Sequence, residues 1–132
     1  MSDKITILVA DDEPFILRSL SFVLKRAGYN VISVINGQEA WNKLSGGSNP
    51  QIVFLDVQMP ILSGFEVCKL IKSDVAFKDV YVVLLTARWQ ESDRTYAKSL
   101  GVDEYITKPF SPSYIIRRVN EILAEKQGVI NE

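Results

Sequence analysis

Gln51-Ile52-Val53-Phe54-Leu55-Asp56-Val57-Gln58-Met59-Pro60 is the stretch whose reading decides the fold. Its apolar residues from Ile52 to Leu55 are consecutive rather than alternating, and they stop at a carboxylate followed closely by a proline. A short unbroken apolar run suits a strand buried on both faces, as the central strands of a parallel sheet are. Asp56 then stands at the C-terminal tip of that strand. In open α/β sheets this is the edge where loops diverge and ligands bind. A lone Asp after a strand is more often a turn-former that bonds its own backbone. The residues at the other strand ends decide between the two readings.

Working outward, Ile5 to Ala10 is β-branched and apolar, hence a strand, and it ends at Asp11-Asp12-Glu13. Pro14 opens a helical pattern of apolar residues that runs to Gly28, and Asp12 or Glu13, taken alone, is best read as its cap. Val31 to Ile35 reads as a second strand and Gly37 to Leu44 as a short helix, closed by the turn Ser45-Gly46-Gly47-Ser48-Asn49-Pro50. After the Asp56 strand comes a loop to Ser63, then a helix carrying Phe65, Val67, Cys68, Leu70 and Ile71. Val80 to Leu85 is a fourth strand that terminates at Thr86, and Arg88 to Leu100 is a sparsely apolar helix. Val102 to Thr107 is a fifth strand, ending in Lys108-Pro109-Phe110. Ser111-Pro112 supplies a cap and a first-turn proline for the last amphipathic helix. The pattern is lost from Gln127 onward, so the domain is expected to span 1–127 with a frayed tail at 128–132. Strands alternating with helices over nearly the whole length predict an α/β fold with a mainly parallel sheet.

The 132 residues suffice for one domain with a core that needs no disulfide or metal staple. Fifteen Lys and Arg against sixteen Asp and Glu leave a formal charge of -1, which gives no whole-domain drive toward nucleic acid or an anionic membrane. The single cysteine, Cys68, excludes an internal disulfide and a Cys-clustered zinc site. With no histidine in the chain, the commonest general base and the commonest transition-metal ligand are both missing. Chemistry here rests on carboxylates, hydroxyls, Lys and Arg. The start of the chain has no long apolar segment, so a signal peptide or membrane span is not expected and a cytoplasmic location is.

Parallel strands bring their C-terminal ends to one edge, so Asp11, Asp12, Asp56, Thr86 and Lys108 are expected on a common rim although far apart in the chain. Carboxylates crowded in this way repel, and each is driven toward its protonated form unless cations offset them. Lys108 supplies one positive charge. A bound Mg²⁺ would supply two more, and that ion favours one or two carboxylates, waters and phosphate oxygens. A metal with positions open to phosphate oxygens suggests phosphoryl chemistry.

These residues resemble the motifs of the receiver domains of bacterial two-component response regulators, over roughly Lys4 to Lys126. The likeness rests on the acidic pair Asp11-Asp12, on Leu55-Asp56-Val57-Gln58-Met59-Pro60 with Gly64 downstream, on Thr86-Ala87, and on Lys108-Pro109-Phe110. Each motif is weak alone; all of them in order, each at a predicted strand end, make a strong signal. The resemblance implies a doubly wound five-stranded parallel sheet of order 2-1-3-4-5 with five helices. It implies Asp56 as the phosphoacceptor, taking PO₃ from a sensor histidine kinase or a histidine phosphotransfer protein. Asp11, Asp12, Asp56 and the backbone carbonyl of Gln58 would hold Mg²⁺. Lys108 would pair with the phosphoryl oxygens, Thr86 would donate its hydroxyl to one of them, and Tyr105 would be the switch aromatic. The Lys108-Pro109 peptide is expected to be cis. A homodimer or output contact through the fourth helix, fifth strand and fifth helix is a further implication, with Arg117, Arg118, Asp103 and Glu104 there either as partner contacts or as plain surface charge.

Ser63 stands where that family commonly has Asp or Asn, and Gln58 and Arg88 occupy positions that influence phosphoryl lifetime. Trp89 reads either as a partner contact or as half-buried packing. An aspartyl-phosphate phosphohydrolase is the alternative from the enzyme class, but it wants a second acid two residues after the nucleophile, and Gln58 cannot serve. A flavodoxin-like cofactor carrier would need small or hydroxyl residues where Asp11-Asp12-Glu13 stand. A receiver-like interaction domain working without phosphate would be expected to lack one of the rim residues.

Overall fold

A computed structural model describes residues 4–87 and 90–128. Arg88 and Trp89, singled out above, lie outside the described residues, as do 129–132. The elements in order are β1 (Thr6–Ala10), α1 (Pro14–Arg26), β2 (Asn30–Val34), α2 (Gly37–Ser45), β3 (Ile52–Asp56), α3 (Gly64–Lys72), a 3-10 turn (Val75–Phe77), β4 (Tyr81–Thr86), α4 (Glu91–Ser99), β5 (Glu104–Thr107) and α5 (Pro112–Gly128). All strand pairs are parallel and the sheet order is β2-β1-β3-β4-β5, the order that the resemblance implies.

Each inner strand is apolar throughout because the sheet is covered on both faces. Alternate residues go to opposite sides. Ile7, Val9, Ile52, Phe54, Val83 and Leu85 pack with Leu20 and Leu24 of α1 and with Ile115, Val119 and Ile122 of α5. Leu8, Ala10, Val53, Leu55, Val82 and Leu84 pack with Ala40 and Leu44 of α2, with Val67, Cys68 and Ile71 of α3 and with Ala97 of α4. Burying each such aliphatic side chain contributes about 1.5–3 kcal/mol. With both faces of the inner strands sealed, their polar groups stand at the strand ends.

Cap chemistry sets where several helices begin. Ser63 accepts from the Glu66 amide while Glu66 reaches back to the Ser63 amide, a full capping box at the start of α3. Ser63, which stands where the family commonly has Asp or Asn, thus serves as the cap. Ser111 accepts from the Tyr114 amide at 3.1 Å, as read from the sequence. The cap expected for α1 differs: Glu13 occupies the N-cap position but makes no side-chain cap bond, and the neighbouring Asp11 carboxylate takes the Glu13 amide instead, at 2.9 Å. Other boundaries shift by one to three residues, with β5 beginning at Glu104 rather than Val102 and α4 at Glu91 rather than Arg88. Asp103, just before β5, is held by Lys72 at 2.7 Å and by the Val82 amide at 2.8 Å. α5 runs through Gly128, the first residue of the expected tail.

Candidate functional site

The strand register builds the site. Ala10 pairs with Leu55, so Asp11 follows on one strand as Asp56 follows on the next. Asp56 pairs with Leu85, and Thr86 with Thr107, which puts Lys108 one step beyond the end of β5. The Lys108 amide donates to the Thr86 carbonyl at 2.7 Å, extending the ladder to the rim. One polar set from four strands is thereby gathered at a single edge, as the sequence predicts.

Two glycines let the surrounding loops close on it. A Cβ on Gly64 would lie 2.4 Å from the Asp56 carbonyl oxygen, so only glycine lets α3 start directly beneath the end of β3. A Cβ on Gly37 would lie 2.0 Å from the Leu62 carbonyl oxygen, where α2 meets the loop after β3. That loop turns at Ile61, whose φ of +72° is unusual for a β-branched residue, and the turn is closed by the Leu62 amide donating to the Pro60 carbonyl at 2.8 Å.

Asp11, Asp12 and Asp56 each offer a carboxylate oxygen, and these oxygens lie within 4.8 Å of one another. Asp11, Asp56 and Thr86 are buried and Asp12 is exposed, so the cluster opens to solvent on the Asp12 side. Lys108 is also buried, and its ammonium group sits 3.0 Å from Asp11 Oδ2, 3.1 Å from Glu13 Oε2 and 3.5 Å from Asp56 Oδ1. The Gln58 amide lies 3.4 Å from Asp56 Oδ1, while the Gln58 side chain is exposed. Burial and the Asp11 charge, with a lesser push from Asp12, raise the Asp56 carboxyl to about 7, although Lys108 and the Gln58 amide oppose the shift. For Lys108, burial alone would lower the pKa, but the carboxylates of Asp11, Asp56 and Glu13 outweigh it and hold the group above its ordinary value.

The donor set suits a hard divalent cation. Asp11 Oδ2 is buried and, although ion-paired with Lys108, accepts no aligned hydrogen bond, which leaves it lone-pair capacity for a cation. Three carboxylates on the rim with one ammonium leave an excess of negative charge that such an ion would neutralise. Tyr105, half-buried on β5, has the Arg94 guanidinium 5.4 Å from its ring centre.

Sequence reasoning missed the role of Glu13, taking it for a cap, whereas its side chain pairs with Lys108. The only hint was its place in a run of three acids. Arg118, read from the sequence as either a partner contact or plain surface charge, is clamped to Glu104 at 2.8 and 2.6 Å and to Glu121 at 2.5 Å, and Glu104 also accepts from Tyr81 Oη at 2.9 Å. Arg117 is mostly exposed, over the Tyr114 ring at 5.2 Å. The Lys108-Pro109 peptide is cis.

The response regulator receiver domain family matches residues 7–120. The chain is 40% identical over 121 residues to the alkaline phosphatase synthesis transcriptional regulatory protein PhoP of Bacillus subtilis, covering 92% of this chain and 49% of PhoP. It is 36% identical over 115 residues to protein PilG of Pseudomonas aeruginosa, covering 87% of this chain and 84% of PilG. Among solved structures, the BeF3-activated receiver domain of DrrB superposes with a TM-score of 0.81 at 31% identity, over 91% of this chain and 97% of that one. This chain thus spans about half the length of PhoP and most of PilG. With the sheet order, the rim of acids and the family match in agreement, the chain belongs to the response regulator receiver domains, the phosphoacceptor signalling modules of two-component systems.

Proposed function

We propose that Asp56 is the phosphoacceptor of this domain and that the rest of the rim serves it. The observation that carries the reading is the placement of the Asp56 carboxylate at the tip of the central strand, grouped with those of Asp11 and Asp12 and 3.5 Å from the Lys108 ammonium. An Asp56 oxygen attacks the phosphorus of a phosphohistidine on a sensor histidine kinase or a histidine phosphotransfer protein. The P–N bond breaks, its electron pair stays on the imidazole nitrogen, and an aspartyl phosphate forms. Water later attacks that phosphorus and returns the free carboxylate and inorganic phosphate. The domain catalyses only these two steps on itself.

Asp11, Asp12, Asp56 and the Gln58 carbonyl are the residues that would hold Mg²⁺, which when bound supplies positive charge to the phosphoryl oxygens. Phosphoryl transfer concentrates charge on the equatorial oxygens, so positioning and cations do most of the work and no histidine base is needed. Lys108 pairs with one of those oxygens. The new group adds up to about two negative charges, and Thr86 turns its hydroxyl toward one of its oxygens. Tyr105 follows inward, so that one charge-driven hydrogen bond selects between two packings of the α4–β5 side. Downstream partners, or a second copy of the chain, read that side through α4, β5 and α5. The domain itself has no role in contacting nucleic acid. A cytoplasmic setting fits this chemistry, and no helix among the described residues is long and apolar enough to cross a membrane.

The test is incubation with acetyl phosphate and Mg²⁺. An acid-stable, base-labile phosphoryl adduct is expected, and it should fail to form in EDTA or in Asp56→Asn. Stoichiometric labelling that persists in Asp56→Asn would overturn the assignment, and steady turnover of unrelated phosphomonoesters would favour a hydrolase.

A further inference from the structure

We propose that Glu13 is a positioning residue, a competing acceptor that holds Lys108 in the unphosphorylated domain and gives it up when a phosphoryl group arrives; the proposal rests on the reading of Asp56 as phosphoacceptor. The Lys108 ammonium stands nearer to Glu13, at 3.1 Å, than to Asp56, at 3.5 Å. Its charge is thus shared among three carboxylates, those of Asp11, Glu13 and Asp56, and of these Glu13 accepts a hydrogen bond from it. Of the three, Asp11 and Asp56 are buried and cannot leave, whereas the Glu13 side chain is 58% exposed.

The local structure prepares Glu13 for this task. It occupies the N-cap position of α1 with extended backbone, φ -89° and ψ 111°, yet its carboxylate makes no cap bond. Asp11 Oδ1 takes the Glu13 amide at 2.9 Å and so fixes the Glu13 backbone from the same carboxylate whose other oxygen faces Lys108. Beside the pair is a cleft of about 380 Å³ lined by Glu13, Phe15, Ser19, Lys108, Phe110 and Pro112, among others, which gives the Glu13 side chain room to swing aside. A phosphoryl group with up to about two negative charges is a stronger acceptor than one solvent-exposed carboxylate. Lys108 then transfers its donors, and Glu13 moves into water at little cost. Glu13 sets the threshold that the phosphoryl group must exceed.

The experiment titrates beryllofluoride, a phosphoryl mimic, into Mg²⁺-saturated protein by calorimetry, and follows the ¹⁵N shift of Lys108 Nζ by NMR. Glu13→Gln, which weakens the competing contact, is expected to bind on the order of fivefold tighter than the wild type, the scale of one partly exposed ion pair. Glu13→Asp keeps the charge but is one methylene too short to reach Lys108, and it is expected to show most of the same gain. In the free proteins both variants shift the Lys108 Nζ resonance, and with beryllofluoride bound all three proteins agree. Equal or weaker binding by Glu13→Gln would overturn the proposal. So would a gain in Glu13→Gln that Glu13→Asp lacks, since the effect would then come from the charge alone and not from the contact. If the wild type binds no beryllofluoride, the phosphoacceptor reading falls and this proposal with it; if the wild type binds and the variants gain nothing, only the role of Glu13 falls.

Discussion

Replacing Asp56 with Asn should make the metal-free domain more stable, and the size of the effect should depend on pH. In the fold the Asp56 carboxyl is pushed from 3.8 to about 7, first by burial and then by the Asp11 charge. The folded state therefore holds a proton that the unfolded chain has already released between those two values. Stability from this group is fully present below about pH 4 and is lost as the pH rises to 7, because folding then confines an anion to a buried, acidic site. At about 1.4 kcal/mol for each tenfold change in the acidity constant, a rise from 3.8 to about 7 amounts to roughly 4 kcal/mol. That value already includes the opposing pull of Lys108 at 3.5 Å, and the amide avoids the cost. A net gain of about 2–4 kcal/mol is expected at pH 8, equivalent to a rise in thermal midpoint of roughly 6–12 °C. The assay is urea denaturation of both proteins in EDTA at pH 5, 6, 7 and 8. The difference should reach about 40% of its full size at pH 5, grow through pH 7 and level off by pH 8. A variant no more stable than the wild type at pH 8, or a difference that does not change with pH, would refute the electrostatic account of the site.

Saturating Mg²⁺ should cancel most of that difference by stabilising the wild type, by about 2.7 kcal/mol at a hundredfold excess over Kd, with most of the gain lost in Asp12→Ala; thermal melts with and without the ion check this. Gly64→Ala places a Cβ 2.4 Å from the Asp56 carbonyl oxygen, so it should cost about 1–3 kcal/mol in urea denaturation and slow labelling by acetyl phosphate as the tip of β3 is displaced. Arg118→Ala leaves the largely buried Glu104 carboxylate without its bidentate partner and should cost about 1–2 kcal/mol. Arg117→Ala, which removes an exposed pair with Glu121 at 3.9 Å and an exposed contact over the Tyr114 ring at 5.2 Å, should cost no more than about 1 kcal/mol in the same measurement.

Patterns local in the chain were legible from sequence. The unbroken apolar runs gave the strands their places, and the polar residues at the run ends, Asp11, Asp12, Asp56, Thr86 and Lys108, came together on one rim because parallel strands share an edge. The reading went astray where a side chain had two partners to choose from. Glu13 has the position and chemistry of a helix cap, and its true partner is Lys108, 95 residues away in sequence. Local rules favour an amide in the first turn of α1, but the Glu13 carboxylate turns to Lys108 instead. Arg118 is a similar case: its clamp on Glu104 depends on how α5 lies across β5, which no helical periodicity specifies. The 3-10 turn at Val75–Phe77, capped by the Asp74 side chain on the Ala76 amide at 2.9 Å, was missed because a single turn carries no periodic signal. The capping box at Ser63 and Glu66 could have been read from its spacing alone.

The most direct measurement of the central claim is the chemical identity of the phosphorylated residue. The protein, treated with acetyl phosphate and Mg²⁺, is reduced with borohydride, which converts an acyl phosphate to an alcohol, and then digested and sequenced by mass spectrometry. The account predicts homoserine at position 56 and at no other carboxylate. Reduction at Asp11, Asp12 or Glu13, or the absence of any reduced carboxylate in fully folded protein, would contradict it.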